Sequence, residues 1–201
     1  MKSSIFDLTG KVALVTGGGS GLGRAYCEAM AEFGADVVCV GRTEKRLQET
    51  LENIKQYGHR RLAIKADVSR QDEIESMVER TVREMGRLDI VFANASDKMA
   101  PYMIHEMPLE QWDDIMALNL RGVFLLMRSA FPHMVKQKGG SFITTVSIAG
   151  IRAGGEGKGV TNISAYASAK AGAIALTQQA AVEYGRYNIR VNAIAPGMHL
   201  T

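Results

Sequence analysis

The sequence predicts an α/β fold, a doubly wound parallel sheet with helices on both faces, in a single domain. Three observations carry this. Short apolar runs rich in β-branched residues alternate with longer stretches of helical periodicity. A glycine-rich turn joins the first of these runs to the first helical stretch. No linker, repeat or low-complexity tract interrupts the 201 residues, so one sheet can take the whole span 1–201.

The strand-like runs are Val12–Thr16, Asp36–Val40, Leu62–Ala66, Ile90–Ala93, Ser141–Val146 and Arg190–Ile194. The first enters Gly17-Gly18-Gly19-Ser20-Gly21-Leu22-Gly23 and then a helical stretch from Arg24 to Phe33. Glycines between a strand and a helix let backbone N–H groups close on a phosphate at the helix N-terminus. The strict G-x-G-x-x-G spacing fails, because Leu22 holds the third position; T-G-x-x-x-G-x-G fits, through Thr16, Gly17, Gly21 and Gly23. Taken alone, such a run could be a mere flexible loop; its place between strand and helix favours dinucleotide binding. In Gln71–Met85, residues Ile74, Met77, Val78, Val82 and Met85 recur at three- and four-residue steps, as in an amphipathic crossover helix. Such crossovers leave a ligand crevice at the carboxyl ends of the strands. The stretch from Ser164 to Gly185 is alanine-rich and apolar nearly all round. A helix of that kind is buried on more than one side, which predicts a subunit contact, in a homodimer or homotetramer, unless the helix is sealed within one chain.

Tyr166 and Lys170 stand four residues apart in that stretch, on one helical face. A tyrosine is a poor base at neutral pH, and a nearby ammonium favours its phenolate. The pair also occurs by chance on many helix surfaces, so its meaning depends on the rest of the chain.

Composition narrows the function classes. Net charge is +3, from 24 basic and 21 acidic residues that are interspersed, with no Lys/Arg stripe for nucleic acid. Cys27 and Cys39 lack metal or redox spacing and read as buried thiols of a reducing compartment. His59, His105, His133 and His199 are scattered, and no metal site is expected. With no signal-peptide pattern and no apolar run near about 20 residues, the expectation is a cytoplasmic protein without a membrane span.

With these pieces assembled, the chain resembles the short-chain dehydrogenase/reductase family over nearly all its length. Seven motifs occur in the family's order: Thr16-Gly17-x-x-x-Gly21-x-Gly23, Asp67-Val68, Asn94-Ala95, Asn119-Leu120-x-Gly122, Ser147, Tyr166-x-x-x-Lys170 and Pro196-Gly197. The resemblance implies a Rossmann-type sheet and an oxidoreductase that moves a hydride between a nicotinamide cofactor and a ketone or secondary alcohol. Tyr166 would be the acid/base, Lys170 would favour its phenolate and hold the nicotinamide ribose, Ser147 would hydrogen-bond the substrate oxygen, and Asn119 would seat a relay water. Gly17, Gly19, Ser20, Gly21, Leu22 and Gly23 would cradle the phosphates, Asp67 and Val68 the adenine, and Asn94 and Ala95 the adjoining wall. Pro196, Gly197 and Thr201 would meet the nicotinamide end. Ser147, Asn119 and Asp67 taken singly could each be ordinary turn or cap residues.

Cofactor choice rests on the end of the second strand. Val38-Cys39-Val40-Gly41-Arg42 offers no carboxylate for a ribose 2′-hydroxyl, and Asp36 lies at the strand's start. Arg42 can hold a 2′-phosphate, which predicts NADP(H) over NAD(H); alternatively it only solvates the next helix. The resemblance points to a 3-oxoacyl thioester or a sugar or polyol as substrate, with hydrophobic cyclic ketones a further candidate.

Three departures from the family pattern stand out. Ser96 replaces the glycine of N-A-G, which would be strained if its φ is positive. A stretch with four glycines, Arg152–Gly159, lengthens the Ser147–Tyr166 interval and predicts a mobile loop that either tunes substrate choice or is a passive insertion. The family's substrate-capping C-terminal segment does not follow Thr201, so the sequence is expected to be incomplete. The rival reading is a non-catalytic NADP-binding sensor or partner-binding protein. A nucleotide-sugar epimerase fits the glycine spacing less well.

Overall fold

The computed structural model describes residues 5–96, 101–153 and 162–197. Its six strands are β1 (Val12–Thr16), β2 (Asp36–Gly41), β3 (Arg61–Lys65), β4 (Ile90–Ala93), β5 (Gly140–Thr145) and β6 (Ile189–Ile194). All neighbours pair in parallel, in the order β3-β2-β1-β4-β5-β6. The order reverses between β1 and β4, the switch point at which a crevice opens in doubly wound sheets.

Side chains alternate faces along each strand, as the pleat requires. Leu14, Val38, Val40 and Val91 pack with Ile74, Met77 and Val78 of α3 (Gln71–Met85) and with Leu126 and Phe131 of α5 (Gly122–Lys136). Val15, Val37, Cys39 and Phe92 face the other way, onto Cys27 and Ala31 of α1 (Gly21–Glu32) and Leu47 and Leu51 of α2 (Glu44–Ile54). Both cysteines are free and buried. A hydrogen bond to Cys39, then burial, pushes the Cys27 thiol well up.

Every expected strand forms, with bounds within one residue. β3 begins at Arg61 rather than Leu62 and β5 at Gly140 rather than Ser141, because the parallel ladders pair those residues with Val37 and Ile189.

α4 (Leu109–Met116) continues into α5 through a π-helical turn, Ala117–Arg121, in which the Gly122 amide bonds to Ala117 O. The continuous helix Leu109–Lys136 has a mean hydropathy of 1.2 in its most apolar window, so by length and composition one helix could cross a membrane, contrary to expectation. Half of that window is buried, and its apolar face packs on the sheet.

α6 (Ser164–Tyr184) buries one stripe, Ala165, Ala169, Ala173, Thr177 and Ala180, at steps of three and four. Ala171, Ala175 and Val182 on the other side are exposed, so the expected second buried face is bare in the single chain.

Candidate active site

Gly17 turns out of β1 with φ +69°, a left-handed conformation that glycine adopts without strain. The loop is then held from below. A Cβ on Gly18 would lie 2.6 Å from Cys39 Sγ, so the loop rests directly on the thiol pair. Thr50 Oγ1 donates to Gly18 O at 3.0 Å, and Arg24 Nη2 donates to Gly19 O at 2.9 Å. Ser20 caps α1 without a side-chain hydrogen bond, which leaves the dipole of that helix end available to an anion.

Thr16 ties this loop to the next wall. Its hydroxyl donates to Phe92 O at 3.1 Å and accepts from the Asn94 and Ala95 amides at 3.0 and 3.1 Å. Asn94 Nδ2 donates to Thr16 O at 3.0 Å and sits against the bare Cα atoms of Gly17 and Gly23.

Together these elements line a cavity of about 410 Å³ along the carboxyl ends of the strands. Gly17, Gly19, Ser20, Gly21, Leu22, Gly23, Arg42, Asp67, Val68, Asn94, Ala95, Tyr166, Lys170, Pro196 and Gly197 all fall on its wall. Thr201, like residues 154–161, lies outside the described residues. Arg46, Thr145 and Ser96 also line it and were not foreseen. For Arg46 the clue was available: it stands one helical turn after Arg42, at the start of α2. Among the described residues, three cations (Arg42, Arg46, Lys170) face one carboxylate, Asp67, on this wall. Burial opposes ionisation of Asp67, but the Ser69 amide and hydroxyl, helped by Arg42 and Arg70, outweigh it and keep the carboxyl below its usual range.

At the far end, α6 carries Tyr166 and Lys170. Lys170 is 2% exposed; its Nζ donates to Thr145 O at 2.9 Å and lies 5.5 Å from the Tyr166 ring centroid. Burial pulls the Lys170 ammonium down to about 8. Ser147, half-buried and next to Val146 of the wall, and the buried Asn119 are not among the residues that line it. Ser147 caps a short turn, Ile148–Gly150, its Oγ accepting from the Ala149 amide at 3.2 Å. That turn meets α6 backbone to backbone, since a Cβ on Gly150 would lie 2.8 Å from Ala171 N. Asn119 is fully buried in the π-turn, where Gly122 lets Val68 O approach to 2.5 Å of its Cβ position. Ser96 is not at positive φ, so the anticipated strain does not arise.

The arrangement fits a nicotinamide dinucleotide. The glycine loop is packed so closely that a Cβ at Gly17, Gly18 or Gly23 would collide with Ala95, Cys39 or Asn94, which holds its backbone in place at the N-terminus of α1. At the other end, the buried Thr145 Oγ1 has no hydrogen-bond partner among the described residues, an acceptor and donor left for a ligand.

Comparison with known proteins decides the family. The family model for short chain dehydrogenases matches residues 11–201. The chain belongs to the short-chain dehydrogenase family. A short-chain dehydrogenase/reductase of Aspergillus oryzae is 42% identical over 193 residues, 96% of this chain and 72% of that protein. A cis-4-hydroxycyclohexanecarboxylate dehydrogenase of Sinomonas cyclohexanicum is 36% identical over 187 residues, covering 93% and 72%. The crystal structure of a carveol dehydrogenase from Mycobacterium avium in complex with NAD superposes with a TM-score of 0.88 at 32% identity, over 94% of this chain and 71% of that one. As a short-chain dehydrogenase, the protein is an oxidoreductase of alcohol and carbonyl groups that uses a nicotinamide cofactor.

Proposed function

We propose that this short-chain dehydrogenase uses NADP(H) to interconvert a ketone and a secondary alcohol on an apolar ring, with Tyr166 as acid/base. The observation that carries the chemistry is the pairing of Tyr166 with the buried Lys170 on the wall of a dinucleotide-shaped cavity. The nicotinamide supplies the hydride to the carbonyl carbon. Tyr166 Oη gives its proton to the carbonyl oxygen, and in the reverse direction takes it from the alcohol. Lys170 favours the phenolate left behind and holds the ribose. Ser147, with its oxygen already accepting from Ala149, is left to donate its hydroxyl proton to the substrate oxygen. Asn119 seats a water that links Lys170 to solvent, and the Tyr166 phenolate regains its proton through that relay.

NADP(H) is favoured because Arg42 and Arg46 flank the cavity at the end of β2 and no carboxylate stands on that strand end. Gly17, Gly19, Ser20, Gly21, Leu22 and Gly23 bind the pyrophosphate, Asp67, Val68, Asn94 and Ala95 the adenosine side, and Pro196, Gly197 and Thr201 the nicotinamide side. An apolar ring suits the turn after Ser147, where Ile148 and Ile151 are 42% and 65% exposed, and the Sinomonas relative acts on a hydroxycyclohexane. The span 1–201 acts as one dinucleotide-binding domain in the cytoplasm. It pairs as a homodimer or homotetramer through the groove between α5 and α6, which exposes Phe124.

The test is NADPH oxidation followed by absorbance with substituted cyclohexanones, acetoacetyl thioesters and ketoses, each repeated with NADH. Faster turnover of cyclohexanones with NADPH is expected. Preference for a thioester or ketose overturns the substrate class, and preference for NADH overturns the cofactor. Binding of NADPH with no reduction of any carbonyl would support the sensor reading.

A further inference from the structure

Asn119 has both of its side-chain polar atoms committed. Nδ2 donates to Ile115 O at 3.1 Å, within its own helix, and Oδ1 accepts from Ser96 Oγ at 2.7 Å, across from the β4 loop. The second bond ties this buried amide to the cavity wall, because Ser96 lines the cavity and Asn119 does not. A π-turn is a strained way to run a helix, and it persists where its surroundings hold it. Val68 closes on this turn through the bare Gly122, and Ser96 holds it from the β4 loop. A glycine at position 96 would leave Asn119 Oδ1 buried and unpaired.

We propose that Ser96 is a positioning residue for the proton relay: its hydroxyl fixes the Asn119 amide, and with it the π-turn that seats the relay water behind Lys170. Ser96 thus joins the binding wall to the buried relay without taking a proton itself. This rests on the relay reading of Asn119 given above.

The experiment uses Ser96→Ala, Ser96→Thr and Asn119→Ala in the full chain. Without cofactor, amide hydrogen exchange at residues 117–122 should rise about tenfold in Ser96→Ala, the amount expected for one lost hydrogen bond, while β1 and β2 keep their protection. Ser96→Thr, which retains the hydroxyl, should restore it. With NADPH and substrate, the solvent isotope effect on kcat should rise about twofold in Ser96→Ala and in Asn119→Ala, with the KM for NADPH within twofold of the parent. Unchanged exchange at 117–122, or faster exchange spread equally over β1 and β2, overturns the proposal. If Asn119→Ala raises the isotope effect and Ser96→Ala does not, Ser96 has no part in the relay. If Asn119→Ala also leaves it unchanged, the relay reading falls, and this proposal with it.

Discussion

The two ends of the parallel sheet are built on opposite terms. At the amino end, polar groups satisfy one another. Asp89 Oδ2 accepts from the Val12 amide at 2.9 Å, and the Arg87 guanidinium grips both carboxylate oxygens at 2.6 and 2.7 Å. The Ser141 amide bonds to Asp89 O at 2.8 Å, so one residue sews β1, β4 and β5 together. Asp36 does the same for β2, accepting from the Arg60 amide. At the carboxyl end, the groups are held in position but left wanting. Lys170 keeps an ammonium in a nearly dry site, Thr145 Oγ1 lacks a partner among the described residues, and the α1 N-terminus has no side-chain cap bond from Ser20. The difference teaches where stability was given up for binding: substitutions at one end should cost fold, and at the other, function.

The sharpest break of this contrast is Tyr166→Phe. Removing one hydroxyl from a half-buried ring leaves packing intact, so melting should stay within about 1 °C. Turnover should fall about 10³-fold, the scale of a lost general acid, with NADPH affinity within twofold. Steady-state rates and a fluorescence titration of NADPH check it, and a loss under tenfold would remove Tyr166 from its role.

Lys170→Met should separate the two properties most cleanly. The unfolded chain holds this proton to about 10.5, whereas the folded chain releases it near 8. Below 8 both forms are protonated and the fold carries the whole cost of burying the charge, about 3 kcal/mol. Between 8 and 10.5 the unfolded chain binds more protons, so the stability of the parent rises with pH across that window. Lys170→Met should therefore stabilise the cofactor-free protein by about 3 kcal/mol at pH 7, with a flat profile from pH 8 to 10.5 and turnover lost. Urea unfolding across that range decides it. A variant no more stable than the parent at pH 7 would mean that Lys170 is better solvated than its burial suggests.

That contrast also marks what could be read from the chain. The strands were legible because a parallel sheet buried on both faces needs continuous apolar runs, and Val12–Thr16 and Ile90–Ala93 were placed with their observed bounds. The Gly17–Gly23 turn and the Tyr166–Lys170 pair could be placed because each rests on local spacing, a glycine run between strand and helix and two residues one helical turn apart. What escaped depends on tertiary contact. No local signal tells an i+5 turn at Ala117–Arg121 from an ordinary helix, or says that Ser96 meets Asn119 across 23 positions. Nor does alanine content tell which face of α6 is covered: only Ala165, Ala169, Ala173 and Ala180 proved buried. The depressed Lys170 follows from burial alone, which spacing cannot show.

At the opposite end, Asp89→Ala should cost about 2 kcal/mol, since it removes hydrogen bonds to a charged group and strips Arg87 and the Val12 amide of their acceptor. For a chain of this size that lowers Tm by about 4–8 °C. The kcat of the folded fraction at 25 °C should not move, because Asp89 lies a full strand length from the cavity. Calorimetry beside steady-state kinetics tests both halves. A kcat loss larger than twofold would show that the two ends are coupled through β1 and β4.

The smallest effect expected concerns cofactor choice. Arg42 lines the cavity beside Arg46, and both side chains are solvent-exposed. Exposed cations share a phosphate's charge and are screened by salt, so neither holds it alone. Arg42→Ala should weaken NADPH about tenfold, which is about 1.4 kcal/mol, and leave NADH affinity within twofold. The ratio of the two dissociation constants, measured by titration at low and at physiological salt, is the readout. The NADPH deficit should shrink as salt rises, because screening has already reduced what the guanidinium contributes in the parent. Equal losses for NADPH and NADH would instead place Arg42 on the part the two cofactors share. The 2′-phosphate would then fall to Arg46, and Arg46→Ala would carry the selectivity.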